Sequence, residues 1–236
     1  MNALEETRPD AFSRRFLFAT PVVVPVVVAG LTAALKPLVA PGFQWFPLLL
    51  VYWSTIWALV AVYQRARGGA FSGEKFKPTL ALRGKYLPLQ YLVVYGPLLY
   101  TIPPFVVNYA RVLTPATWAA LVVASVINGP SEEAFWRACL DEAGRRAGLS
   151  ERTRLAYLPV AFALWHTAFV VHLFPLDERW WLAWVAVDGA TWSSGLAWTW
   201  TLHRSGRLFP QTVYHACANL FNVFPMVLVD VLHVTS

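Results

Sequence analysis

The sequence predicts an all-α fold: a polytopic integral membrane helical bundle of about seven transmembrane helices, or seven to eight if a half-span or re-entrant segment lies near the C-terminus. Three observations predict it. The 236 residues are 57% hydrophobic and only 14% charged, with a mean hydropathy of +0.48, which is too apolar for an ordinary soluble domain. The apolar residues gather into stretches of about 20, the length that crosses a bilayer as a helix. Lys and Arg also alternate between successive connections, as expected when cytoplasmic loops retain positive charge.

Taken in order, the predicted spans are roughly 16–35, 43–64, 86–108, 116–140, 154–174, 180–202 and 210–232. The first run, from Phe16, has no small-residue cleavage site and reads as a retained span, not a secretory signal. Pro21 and Pro25 make it a kinked peripheral helix. The connection from Arg65 to Lys85 contains Arg67-Gly68-Gly69 and Ser72-Gly73-Glu74-Lys75, the composition of a flexible loop with at most a short amphipathic piece. Pro97, Pro103 and Pro104 bend or shorten the third span. Gly129-Pro130 interrupts the fourth, where a kink would free carbonyls and aim the following acids into a cavity. No internal repeat or linker divides the chain, so residues 1–236 form a single membrane domain.

The cationic side chains set the orientation. Arg8, Arg14 and Arg15, then Arg65, Arg67, Lys75, Lys77, Arg83 and Lys85, then Arg145, Arg146, Arg152 and Arg154, and finally Arg204 and Arg207 fall on one side. Lys36, Arg111 and Arg179 fall on the other, and Arg137 lies within span four. The N-terminus is therefore expected in the cytoplasm and, with seven spans, the C-terminus outside. The net charge of +6 does not indicate nucleic acid, because no soluble basic patch with interleaved aromatics is present to receive it. Cys139 and Cys217 have no CxxC spacing, so they read as small packing residues with neither a zinc knuckle nor a disulfide.

Glu132, Glu133 and Arg137 sit in an otherwise apolar run. A charge near a bilayer centre costs about 2.5–3.5 kcal/mol on insertion scales, so such groups are candidate functional residues. Glu133 and Arg137 are i,i+4 neighbours and can neutralise one another as a structural ion pair. Glu132 is then left without a local partner, which suits a general base. Phe162 and His166 share a face of span five, and His215 and Asn219 share one of span seven. A lone histidine in a bundle is commonly structural, and here the conjunction carries the signal. At 1.5 Å rise per residue, Glu132, His166 and His215 lie about eight, twelve and five residues from the cytoplasmic ends of their spans. They can share one cavity in that half of the bilayer. Asp188 reads as structural, whether paired, lining a water path or bonding backbone. His172, Asp230, His233 and the Asp177-Glu178 pair lie near interfaces. Trp180, Trp181 and Trp184 suit an interfacial belt or a lipophilic groove.

Glu132-Glu133-x-x-x-Arg137, Phe162-x-x-x-His166 and His215-x-x-x-Asn219, in that order on successive hydrophobic segments, resemble the three signature motifs of the CAAX protease and bacteriocin-processing family. This family, also called the Abi family, includes the type II CAAX prenyl endopeptidases. The resemblance covers residues 116–225, the expected catalytic core, and departs at Ala138, where many members carry glycine. It implies an intramembrane endopeptidase in which Glu132 is the base, His166 its partner in activating water, and His215 and Asn219 the oxyanion hole. Arg137 would hold Glu133, with Phe162 in support.

The implied partners are the lipid bilayer and a peptide or membrane-protein substrate, prenylated CAAX-type or otherwise membrane-associated. No cofactor is expected. The competing zinc reading would use Glu132, Glu133, His166 and His215 as ligands, although the chain has no His-Glu-x-x-His helix. Two non-proteolytic readings compete as well: a bacteriocin-immunity or membrane partner protein on the same scaffold, and a transporter with a proton-relay glutamate.

Overall fold

The computed structural model describes residues 10–40, 45–67, 71, 75–174 and 180–226. The expected interfacial residues Asp177, Glu178, Asp230 and His233, and the end of the seventh span, lie outside the described residues. All regular structure among the described residues is helical.

Helix α1 (Ala11–Leu35) is followed by a 3-10 turn, Lys36–Leu38, and α2 (Phe46–Arg67) by an extended connection. Next come α3 (Leu87–Tyr95), α4 (Leu98–Asn108) and α5 (Pro115–Glu132). A π-helical turn, Glu133–Cys139, joins α5 to α6 (Leu140–Arg146). The long pair α7 (Glu151–Leu173) and α8 (Trp180–Ser205) leads to α9 (Phe209–Ala218), a second π turn, Asn219–Val223, and the short α10 (Phe224–Met226). Side-chain caps start three helices: Asp10 accepts from the Phe12 N–H, Thr114 from Thr117 and Ser150 from Thr153, each at 3.1 Å, satisfying donors with no partner inside the helix.

Four helical stretches are long and apolar enough to cross a membrane: Ala11–Leu38, Phe46–Arg67, Leu87–Asn108 and Glu151–Leu173. The other three stretches, 115–146, 180–205 and 209–226, hold the polar groups that lower their hydropathy, among them Glu132, Glu133, Arg137, Asp188, His215 and Asn219. Large apolar side chains point outward over much of the bundle, including Val22, Val26, Leu92, Leu99, Val107 and Val126. An apolar exterior of this extent is the surface of a protein solvated by lipid, and the chain is an integral membrane protein.

The prolines act differently from one another. Helix α1 runs unbroken through Pro21 and Pro25 and packs on α2, α6 and α7. The expected bend in span three is a break at Gly96-Pro97, between α3 and α4, while Pro103 and Pro104 lie inside α4. In span four the helix continues through Gly129-Pro130, and the irregularity comes three residues later, as the π turn that begins at Glu133.

The connection before α3 is held in place where it is described. Lys75 O accepts from Leu208 N at 2.8 Å, Arg83 Nε donates to Ser205 O at 3.0 Å, and Tyr95 Oη donates to Leu80 O at 2.9 Å. Residues 75–86 contain no helix.

One end of the bundle collects most of the charge. Asp10 accepts from two of the three Arg67 guanidinium nitrogens, Nε at 2.5 Å and Nη2 at 2.7 Å, and its own N–H reaches Arg146 O. Asp141 bridges Arg154 (2.8 Å) and His203 (2.7 Å), and Arg204 pairs with Glu151. The opposite end holds Lys36, whose Nζ donates to His172 O at 3.1 Å. The helix ends predicted to share a side therefore do share one.

Candidate active site

Span four delivers its acids by way of a close helix crossing. A Cβ built on Gly129 would lie 2.8 Å from Ala216 N and 3.1 Å from Thr212 O. Only a glycine allows α9 this near α5, and the approach sets His215 beside both glutamates. His215 Nδ1 lies 2.8 Å from Glu133 Oε1, and its Nε2 lies 3.1 Å from Glu132 Oε2. The first contact is a well-formed hydrogen bond. The second is near but poorly aligned, and Glu132 Oε2 has no hydrogen-bond partner among the described residues.

Glu133 is also 3.3 Å from Arg137 Nη1, so the expected i,i+4 pair is present and includes His215 as a third member. The Arg137 guanidinium lies 3.9 Å from the Phe162 ring centroid and 5.0 Å from that of Trp198, within cation–π range of both. All of these charged groups are buried. A buried charge is tolerable only when paired, and here the pairing is shared among three helices.

His166, one turn after Phe162 on α7, points its Nδ1 at the Phe162 carbonyl, 3.0 Å away. A carbonyl only accepts, so Nδ1 carries the hydrogen, and in the neutral ring Nε2 keeps its lone pair. Phe162 meets the imidazole edge-on at 4.8 Å, and Trp165 flanks it at 4.6 Å. Asn219 opens the second π turn and is buried, with its Nδ2 unpartnered among the described residues. Two of the three motif helices, α5 and α9, thus run into π turns next to their polar groups, a placement common at functional sites.

Glu132, Phe162, His166, His215 and Asn219 all line one cavity of about 360 Å³. Asn128, Thr191, Ser194 and Asn222 add further polar groups to its lining. Its apolar walls come from α8, through Ala186, Val187 and Ala190, and from the segment after α9, through Val223, Phe224 and Met226. Glu133 and Arg137 sit behind Glu132 and do not line the cavity.

Sequence reasoning missed Trp198. It lies 4.5 Å from the His215 ring and 5.0 Å from the Arg137 guanidinium, so α8 packs on the two groups that pair with Glu133; one tryptophan among 12 offers no signal by which to find it. Also missed was the Asp141–Arg154–His203 cluster, built on a buried Asp141 with members from three helices. Asp188 stays outside the cavity and accepts from Thr167 Oγ1 at 3.3 Å. Cys139 and Cys217 are unpaired. Among the described residues, no group of three His, Cys, Asp or Glu side chains is placed to hold a metal ion.

Residues 114–221 match the model of the Rce1-like family, described as type II CAAX prenyl endopeptidase Rce1-like. Neither the curated proteins nor the solved structures include a significant match. The matched segment runs from the N-cap of α5 into the second π turn and includes every residue of the three motifs. This segment, which builds the site, is similar to the Rce1-like type II CAAX prenyl endopeptidase family over its whole length.

Proposed function

We propose that the protein is an intramembrane endopeptidase that hydrolyses a peptide bond near the cytoplasmic membrane face, with Glu132 as general base. The observation that carries this reading is the convergence of Glu132, His166, His215 and Asn219 on one cavity. Water attack on an amide needs a base beside the water and donors beside the developing oxyanion, and these four side chains provide both.

Water has two hydrogens to donate. In this reading one goes to the Glu132 carboxylate and the other to the lone pair on His166 Nε2, which turns a water lone pair toward the scissile carbonyl. As the C–O bond forms, Glu132 takes the proton. The carbonyl oxygen becomes an oxyanion, which receives hydrogen bonds from His215 Nε2–H and Asn219 Nδ2. Glu132 then returns the proton to the leaving amine. With Glu133 and Arg137 as an ion pair, a single proton shared between Glu132 and His215 makes the four groups neutral overall, the arrangement that buries least net charge.

No step in this scheme requires a metal, so cleavage is expected to survive exhaustive chelation of the purified protein. Activity lost to chelator and restored by zinc would instead make Glu132, Glu133, His166 and His215 ligands.

The family match supports a membrane-associated peptide as substrate, with a prenylated CAAX-type peptide the first to try. The orientation proposed is N-terminus in the cytoplasm, with seven crossings. The test is incubation of the protein in lipid bilayers with farnesylated and unprenylated forms of one peptide. Cleavage of the farnesylated form, lost in His166→Ala, is the expected result; no cleavage of any membrane-associated peptide would reject the endopeptidase reading.

A further inference from the structure

Helix α2 lies outside residues 114–221, and the sequence marks it only as one more apolar span, yet it reaches the wall of the site. Leu49 lines the cavity, and one turn later the Trp53 indole Nε1 lies 2.8 Å from the side-chain oxygen of Asn128. An indole N–H only donates, so the Asn128 atom facing it is Oδ1, and the amide cannot be turned the other way round. This is the one hydrogen bond of the Asn128 side chain among the described residues. Nδ2, with two hydrogens, is left over, on a residue that is buried and lines the cavity. Thr101 and Thr191, which also line it, direct their hydroxyl hydrogens to carbonyls of their own helices, at 3.3 Å to Leu98 O and 2.8 Å to Val187 O.

Asn128 stands one turn before Glu132 on the same face of α5. A peptide drawn into a cavity with apolar walls gives up the water on its backbone, and each carbonyl left there without a donor is costly. We propose that Asn128 is a substrate-binding residue whose Nδ2 donates to a backbone carbonyl of the bound peptide other than the scissile one, with Trp53 as the positioning residue that fixes the amide. Four residues of helix rise about 6 Å, and an extended chain advances about 3.3 Å per residue. The carbonyl held by Asn128 therefore belongs to a residue roughly two positions from the scissile bond. The inference rests on the endopeptidase reading, with Glu132 as the base, and deepens it by naming how the peptide backbone is held. Because this carbonyl stays intact throughout, the contact is as strong before the reaction as during it, so it acts on KM and not on kcat.

The test compares wild type, Asn128→Leu, Trp53→Phe and the double variant in bilayers. For each, kcat and KM are read on the farnesylated peptide and on versions of it in which one non-scissile backbone amide is replaced by an ester, whose carbonyl is a weaker acceptor. In wild type, an ester at one position is expected to raise KM by roughly three- to tenfold. Asn128→Leu should raise KM on the all-amide peptide by roughly tenfold, hold kcat within about twofold, and abolish the penalty of that ester. Trp53→Phe lets the amide rotate and should give a smaller rise in KM. The double variant should match Asn128→Leu, because the indole acts through the amide.

A wild-type KM in Asn128→Leu overturns the proposal, as does an ester penalty that Asn128→Leu leaves in place. A fall in kcat with KM unchanged would put Asn128 on the oxyanion and equally overturns the assignment. Should Asn128→Leu fail to fold, the double variant, which leaves no indole donor unmatched, decides on the same readouts. If wild type cleaves nothing, the endopeptidase reading fails separately, and binding of the same peptides to wild type and Asn128→Leu decides: no ester penalty on binding overturns the Asn128 contact.

Discussion

Glu133 meets two partners at once: the imidazole of His215, with Nδ1 at 2.8 Å, and the guanidinium of Arg137 at 3.3 Å. Removing Arg137 would leave buried negative charge under-compensated, and breaking a pair in this way costs about 3–5 kcal/mol. Arg137→Ala is therefore expected to lower the thermal stability of the purified protein sharply. Arg137→Lys should recover only part of the loss, since an ammonium lacks the planar face that lies over Phe162. Thermal melts of the three proteins in detergent check this; equal stability would show that Glu133 does not depend on Arg137. At this scale the sequence is informative about pairs within one helix and silent about pairs between helices. The i,i+4 rule finds Glu133 with Arg137, Phe162 with His166 and His215 with Asn219, because helical periodicity is local. It does not show that His215 lies between the two glutamates, nor that Trp198 packs on His215 in the wall of the cavity, because those contacts depend on how α5, α8 and α9 cross.

The crossing of α5 and α9 itself depends on Gly129. With backbone atoms of Ala216 and Thr212 at 2.8–3.1 Å from where a Cβ would stand, Gly129→Ala must push the helices apart. A misplacement of about 1 Å in a catalytic group can cost on the order of 100-fold in rate. Gly129→Ala is expected to lose activity on that scale while remaining inserted and helical by circular dichroism; unimpaired cleavage would show that the crossing is not what places His215. The sequence singles out Gly129-Pro130 as a break, and the structure assigns the two residues separate jobs: glycine gives close approach, and proline is absorbed by the helix. The irregularity is the π turn at Glu133–Cys139. A π turn is invisible to a reading based on proline alone, because it arises from a register shift in backbone hydrogen bonding that no single residue type dictates. Gly96-Pro97 is the opposite case, where the sequence signal and the break coincide.

Over the whole molecule, the distribution of charge and the packing of the core agree. The helix ends rich in Lys and Arg come together, and their ion pairs join α1 to α2 and α6 to α7 and α8. Asp10 is the clearest of these groups, since hydrogen bonds from Arg67 hold its carboxyl below the usual range. A depressed carboxylate stabilises the fold above the unfolded value of about 3.9 and loses that contribution as pH falls through the folded value. Asp10→Asn should therefore be less stable than wild type by a small, constant margin from neutral pH down to about 4, and the margin should close in stronger acid. A margin that persists in strong acid would point to lost helix capping at Phe12 instead. That the chain is a helical membrane bundle is legible from composition and span length, since every crossing segment must satisfy its own backbone. The approach of α2 to the site is not, because nothing in an apolar span marks Leu49 as lining the cavity or Trp53 as the donor to Asn128.

The central claim is that Glu132 activates water in the shared cavity. Its most direct test is single-turnover cleavage by Glu132→Gln beside wild type, in bilayers, with substrate binding measured on the same samples. Glutamine keeps the size and the polarity but cannot take a proton, and losing a general base costs about 100- to 10,000-fold. The account predicts a loss in that range with binding unchanged. Cleavage by Glu132→Gln at close to the wild-type rate would contradict it.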